Sequence, residues 1–160
     1  MSSIVHLPEQ FKIVNGSPVA TTDGGVTCDF VSLKNVNMAW ILVEALQAAT
    51  HATVLNPQRA TAVAPTGNVA IAHNAPNWKN ADVSASDTLV RGADGTTVSL
   101  TAGTTNQQVL IQIDPAQLGA TYDCMGLVIT TSGEATNFVT VTYFLETRYG
   151  QATPPVAITD

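Results

Sequence analysis

The strongest constraint on the fold is an alternation of side-chain character near the carboxyl terminus. The segment Asn137 to Thr147 reads NFVTVTYFLET. Successive side chains of a strand point to opposite sides of a sheet, so one side of this segment carries only large apolar residues. They are Val139, Val141, Tyr143 and Leu145. Gln107 to Ile113 (QQVLIQI) alternates similarly and is followed by Asp114-Pro115, where proline cannot donate to a ladder. Both runs predict β-strands.

Short β-prone segments separated by turn signals fill much of the remaining chain. Asp23-Gly24-Gly25 and Ser132-Gly133 are typical turns. Asp94-Gly95 is the best candidate for a tight hairpin, because glycine accepts the positive φ that such turns require. Many short strands at this spacing predict an all-β fold, a β-sandwich of jelly-roll type with extended termini. The shorter predicted strands are Phe11–Asn15, Cys28–Leu33, Ala52–Leu55, Thr61–Ala64, Asn68–Ala72, Thr88–Val90, Val98–Leu100 and Asp123–Thr130.

Two segments are harder to assign. Met38 to Ala49 reads MAWILVEALQAA and could wind into a helix, but its aromatic and β-branched residues favour a strand buried on both faces. Ala72 to Asp87 shows no clear period, which predicts a long loop crossing one end of the sandwich.

The length of 160 residues predicts a single domain. Its ends, Met1–Gln10 and Gly150–Asp160, are predicted to be extended arms. Pro154-Pro155 favours a polyproline-like conformation in the second arm.

Charge is scarce in this chain. Charged residues make up only 11% of the sequence, against about 25% in ordinary soluble domains. The surface must therefore expose neutral side chains or be covered by other subunits, and we expect a homo-oligomer, most simply a trimer. The net charge is −6 and the basic residues are scattered, which argues against binding to nucleic acid. The basic residues are Lys12, Lys34, Arg59, Lys79, Arg91 and Arg148.

The sequence predicts neither a membrane protein nor an exported one. No apolar run approaches the roughly 20 residues that span a bilayer, and MSSIVHLPEQ does not resemble a signal peptide. Cys28 and Cys124 are accordingly expected to be free, buried thiols.

No catalytic or metal-binding pattern stands out, so we expect no enzyme activity, metal or cofactor. His6, His51 and His73 lack ligand spacing. Glu44 and Glu146 are the only carboxylates worth weighing as a glycosidase pair. Ordinary ion pairing is the simpler interpretation, with Arg148 two positions from Glu146 on the same strand face.

The two tryptophans suggest different roles. Trp40 lies in an apolar run and is expected in the core. Trp78 is expected in the long loop, where it could anchor an interface or, as the less favoured alternative, stack on a sugar. The residues predicted to form an interface are Trp78, Lys79, Arg148, Tyr149, Pro154 and Pro155.

The order of segments resembles that of tailed-bacteriophage head decoration (cement) proteins, a kind of auxiliary capsid protein. The segments that carry this resemblance are FKIVN, CDFVSLKNVNMAWILVEALQAA, ATVLNPQRATAV, NWKNAD, ASDTLVR, VLIQIDPAQL and VTVTYFLETRYGQATPP. It implies a jelly-roll unit, made in the host cytoplasm, that sits on the outer capsid surface of the virion. Its partners would be the major capsid protein and copies of itself, without a small-molecule substrate. The alternatives are a carbohydrate-binding or adhesion module that uses Trp78 and neighbouring Asn residues, and, less favoured, a polysaccharide hydrolase.

Overall fold

The computed structural model describes residues 6–48, 51–64 and 67–149, and these residues form mainly β-strands. One helical turn, α1 (Leu7–Gln10), precedes the first strand, and a 3₁₀ turn spans Pro115–Gln117. The strands are β1 (Phe11–Thr21), β2 (Val26–Thr27), β3 (Val31–Ser32), β4 (Val36–Gln47), β5 (Val54–Ala60), β6 (Val69–Ala70), β7 (Asn77–Asn80), β8 (Val90–Arg91), β9 (Val98–Ser99), β10 (Thr105–Ile113), β11 (Cys124–Ile129) and β12 (Phe138–Thr147).

The strands form two antiparallel sheets. The first has the order β1-β12-β4-β10-β7-β8. The second has the path β2-β11-β5-β6, with β3 also paired to β11 and β9 to β5. The pairings are nested: β1 pairs with β12, β2 with β11, β4 with β10, and β5 with β6 and β9. This nesting across two sheets is the topology of a jelly roll, and the predicted all-β sandwich is confirmed.

The core fills the space between the sheets. The apolar side of β12 that the sequence predicted is buried there, and Tyr143 is 0% exposed. Leu127 and Leu55 face it from β11 and β5, and both are also 0% exposed. Strand alternation therefore places these residues correctly.

The ambiguous segment that begins at Met38 is a strand, β4, as predicted. Burial on both faces was wrong. Ala39, Ile41 and Val43 are fully buried, whereas Trp40 and Leu42 on the opposite side are only half-buried. The reason is that no other sheet of the described chain packs against that side.

Three local predictions were wrong. The segment Ala72–Asp87 is not a continuous loop, because β7 pairs with β10 within it. Thr61–Ala64 forms bends, since the neighbouring strand is already complete at Ala60. Asp94-Gly95 does not close a hairpin, because β8 and β9 on either side of it belong to different sheets.

The predicted arms fall largely outside the described residues. Residues 1–5 and 150–160 lie outside them, and Leu7–Gln10 is helical rather than extended. His6 begins the described chain.

Both cysteines are free and buried, as predicted. Cys28 belongs to the core between the sheets, whereas Cys124 packs with Phe30 and Ala60 in a separate small cluster. Burial raises the pKa of each thiol to about 12. The two thiols lie in different clusters and stay protonated at neutral pH.

Candidate interaction surface

The outer side of the first sheet is the main candidate site, and we call its part on β1, β12, β4 and β10 the outer face. Trp78 and Arg91 continue the same side of the sheet on β7 and β8. The outer face is formed by the side chains of β1, β12, β4 and β10 that alternate with the core residues. Among them Glu44 and Glu146 are the ionisable groups, and the others are apolar or neutral. The large apolar members are Phe11, Ile13, Trp40, Leu42, Leu46, Leu110, Phe138 and Phe144.

One end of the outer face carries an aromatic groove, lined by Leu7, Phe11, Trp40, Leu110 and Phe144, with a volume of about 270 Å³. Phe144 lies directly opposite Trp40 in the β12–β4 ladder. The rings of Phe11 and Trp40 pack with their centroids 5.7 Å apart and a 52° tilt. Every residue that lines this groove is apolar.

The other end of the outer face carries a larger groove of about 530 Å³, whose exposed apolar residues include Val19, Leu46 and Phe138. They are 73%, 40% and 38% exposed, respectively. Glu44 is the carboxylate in this second groove, and Gln108 Nε2 lies 3.5 Å from its Oε1. The groove is therefore a broad apolar depression with one charge at its side.

The outer side of the smaller sheet provides a contrast, because the chain covers it locally. Phe30, in the connection between β2 and β3, lies over Gly126 so closely that a Cβ at this glycine would sit 2.6 Å from the ring. Cys124 and Ala60 beside it are buried. Within the described chain, the larger sheet has no comparable cover.

Trp78 and Lys79 lie on β7, beside β10. The Arg91 guanidinium lies 4.9 Å from the centre of the Trp78 ring and occupies one of its faces. Lys79 Nζ donates to the carbonyl oxygen of Ser99 at 2.9 Å, and burial lowers the pKa of this lysine. Both side chains are engaged within the subunit, so sugar stacking on that face of Trp78 would first have to displace Arg91.

Arg148 and Tyr149 follow β12 and do not join Trp78 in one patch, since β4 and β10 separate the two strands. The Arg148 backbone N–H donates to the carbonyl oxygen of Asn35 at 2.8 Å, and Tyr149 is 70% exposed. Pro154 and Pro155 lie outside the described residues.

Sequence reasoning missed the residues that dominate the outer face. The sequence predicts Trp40 in the core, and it gives no role to Phe138 and Phe144 on the second side of β12. The available signal was that β12 carries aromatic residues on both of its sides.

The two candidate carboxylates do not form a pair. Glu44 lies opposite Thr140 and Glu146 opposite Met38 in the same ladder. Six positions along a strand separate their places, or about 20 Å. Glycosidase carboxylates lie within about 10 Å of each other, so these two cannot flank one scissile bond.

The histidines and acidic groups give no metal cluster in the described part of the chain. His51 Nδ1 lies 2.8 Å from Glu134 Oε1, in a pair that is ionic when the imidazole is protonated. Among residues 6–48, 51–64 and 67–149, none of the helices is long and apolar enough to cross a membrane.

Comparisons with known proteins yield one structural similarity and no family. No protein-family model matches the chain, and no curated protein matches it either. Among solved structures, the crystal structure of the SPBc2 prophage-derived protein YomS is similar over 84% of this chain and 91% of its own. The TM-score is 0.47 and the identity 10%. A similarity of this size does not establish a family for this chain.

Proposed function

We propose that this chain is a structural virion protein that decorates a phage capsid. In this role it forms a homo-oligomer, most simply a trimer, and binds the major capsid protein at the outer surface of the head. The observation that carries the proposal is the outer face, an apolar and nearly uncharged sheet surface that the described chain leaves open. The order of segments that resembles decoration proteins gives the proposal its biological setting.

The outer face is large enough for a stable contact. Strands about 4.8 Å apart that rise about 3.4 Å per residue give a face of about 600 Å² for four strands of the length of β10, which has 9 residues. Burying it against a partner removes about twice that area from water, which exceeds the roughly 1,000 Å² expected of a specific interface. Low charge also favours this use, because the centres of interfaces are depleted in charged residues.

Self-association can be tested with substitutions that place a charge on the outer face. Leu46→Lys and Phe138→Lys each put an ammonium group into the second groove, and burying it against another subunit would be unfavourable. Val69→Lys is the matched control, because Val69 is 39% exposed on the smaller sheet, against 40% and 38% for the two test residues.

Mass is measured by light scattering coupled to size exclusion. We expect the unsubstituted protein and Val69→Lys to run as an oligomer, with the monomer at 16.7 kDa as reference. Leu46→Lys and Phe138→Lys should shift toward that monomer mass. A monomeric unsubstituted protein at about 100 μM, where even a 10 μM Kd leaves it mostly assembled, would contradict self-association.

Capsid attachment is tested on purified virions of the phage that encodes the chain. We expect the chain in their protein composition, and density for its jelly roll on the outside of the capsid in a cryo-EM map. Its absence from virions would overturn the virion assignment, and density only on the tail would overturn capsid decoration. Virions that carry Phe138→Lys, compared with Val69→Lys, then report whether the outer face contributes to attachment.

A further inference from the structure

The aromatic groove lies beside the point where the chain leaves the described structure. Thr147 ends β12, and its Oγ1 is 3.0 Å from the carbonyl oxygen of Gln10 and 3.1 Å from that of Tyr149. Gln10 directly precedes Phe11, which lines the groove. The chain bends at residues 148–149, directly after the strand end that lies beside the groove.

The segment that follows matches the groove in chemistry. Residues 151–158 read QATPPVAI and contain no charged side chain. Pro154-Pro155 favours the polyproline II conformation, which docks on aromatic-lined surfaces because its rigid backbone loses little entropy on binding. The groove offers such a surface in Phe11, Trp40 and Phe144, without an ionisable group among its lining residues.

The segment is also long enough to reach back from the end of β12 to the aromatic groove. Phe144 lies three residues before Thr147, or about 10 Å along the strand. Pro154 lies five positions after Tyr149, and an extended chain of five steps spans about 17 Å. A reversal at Gly150 would therefore bring Pro154 back over the side chains of Phe144 and Trp40.

We propose that the carboxyl-terminal segment Ala152–Ile158 docks in the aromatic groove of its own subunit and covers Trp40. The short connection favours the chain's own segment over that of a second copy, because a short tether gives an effective concentration on the order of 1 mM. At that concentration, a free-segment Kd of about 100 μM leaves about nine-tenths of the segments docked. The proposal does not depend on capsid binding, and the docked segment would form part of the surface that the outer face presents to other subunits.

The test uses Trp40 as the reporter. Trp78→Phe leaves Trp40 as the only tryptophan, since the chain has 2. In that background we compare the full chain with a chain that ends at Gly150. Removal of the segment should shift Trp40 emission to the red and raise its acrylamide quenching constant about twofold, because a contact that excludes water is lost. Circular dichroism shows whether the shortened chain keeps its β content.

Two substituted full-length chains keep the test valid if the shortened chain misfolds. Pro154→Ser with Pro155→Ser removes the rigid apolar pair and should reproduce the effect of truncation. Thr159→Ala with Asp160→Asn alters the same arm beyond the docking segment and should leave Trp40 emission unchanged. Equal Trp40 quenching in the double-proline variant, the matched control and the full chain would overturn the proposal.

A synthetic peptide of residues 151–160, added to the shortened chain, supplies the last measurement. We expect the peptide to reverse the red shift saturably. Its Kd should not be weaker than the effective concentration that the tether provides, which is on the order of 1 mM. No saturation in the millimolar range would overturn docking. A Trp40 shift that appears on dilution of the full chain but not on dilution of the double-proline variant would instead show that the segment comes from a second copy, which also overturns the proposal. Neither result bears on whether the chain is present in virions.

Discussion

A methyl group added at Gly16 tests how tightly the core is built around Tyr143. Gly16 lies in β1, at an irregularity of the β1–β12 ladder between Asn15 and Ser17. A Cβ at this position would sit 2.5 Å from Cζ of Tyr143 and 2.6 Å from Cε2. Ordinary carbon contacts are about 3.5–4.0 Å, so either the ring or the strand would have to move by about 1 Å.

The ring has little freedom to move. Tyr143 is 0% exposed, and its hydroxyl donates to the carbonyl oxygen of Asp29 at 3.0 Å. Asp29 in turn donates its backbone N–H to the carbonyl oxygen of Gly16 at 2.8 Å. The glycine, the ring and the loop are thus linked, and a shift of one strains the others.

The expected cost of Gly16→Ala follows from this geometry. Forcing an extra methyl group into a packed core typically costs about 1–3 kcal/mol. Gly16 is not among the described glycines with positive φ, so alanine adds no backbone strain. For a chain of this size that cost lowers the Tm by about 2–12 °C.

Gly24→Ala is the matched control, because Gly24 has ordinary φ and a Cβ there would meet nothing within 4 Å. Urea unfolding followed by circular dichroism gives the free energy of unfolding for both variants. We expect Gly16→Ala to be the less stable by at least about 1 kcal/mol. Equal stability within about 0.5 kcal/mol would refute the tight packing of Gly16 against Tyr143.

Three further predictions concern the buried thiols and Trp78. Neither Cys28 nor Cys124 should react with a thiol reagent at pH 8 in the native state, and both should react after unfolding, because burial raises their pKa to about 12. The free energy of unfolding should be unaffected by Cys28 below pH 9 and should then fall toward pH 12 by up to about 1.4 kcal/mol per pH unit, since the unfolded chain loses the proton first. Cys28→Ser should flatten that slope in urea titrations at each pH. Arg91→Ala should increase the acrylamide quenching of Trp78, whereas Lys12→Ala should not, because Arg91 covers the Trp78 ring.

Local alternation was sufficient to predict the central strands. β10 and β12 carry their apolar side chains at every second position, and each lies between two other strands in the sheet. Burial on the inner side then follows from strand geometry alone. The aromatic and β-branched residues of β4 likewise decided the choice between helix and strand.

Strands that form only because a neighbouring strand pairs with them could not be predicted from the local sequence pattern. β7 reads NWKN and has no apolar alternation, and it is a strand because β10 and β8 lie on either side of it. β1 continues to Thr21, although the sequence suggested an end at Asn15, because the β1–β12 pairing resumes after two irregularities, one at Gly16 and one that includes Pro18. Tertiary pairing overrides weak propensity in both strands.

The outer face was not predicted because the sequence does not distinguish an apolar side that is buried within the subunit from one that the subunit leaves open. A strand buried on both sides reads as a continuous apolar run, and β4 reads that way. In the described chain its inner side contacts the second sheet, while Trp40, Leu42 and Leu46 on its outer side have no covering sheet. The same apolar residues occur in the sequence whether that side of the strand is covered within the subunit or by another molecule.

The size of the outer face indicates how such a subunit would be held in an assembly. If about half of the roughly 1,200 Å² buried by one contact is apolar, the gain is about 15 kcal/mol, against an association cost of about 4–15 kcal/mol. The affinity of one contact therefore ranges from marginal to tight. A closed ring dissociates less readily, because a subunit leaves it only when its contacts break together. Symmetry also repeats a substitution at every interface. A single change such as Phe138→Lys would thus weaken each contact of the ring at once, and it should have a larger effect on assembly than on the stability of the folded subunit.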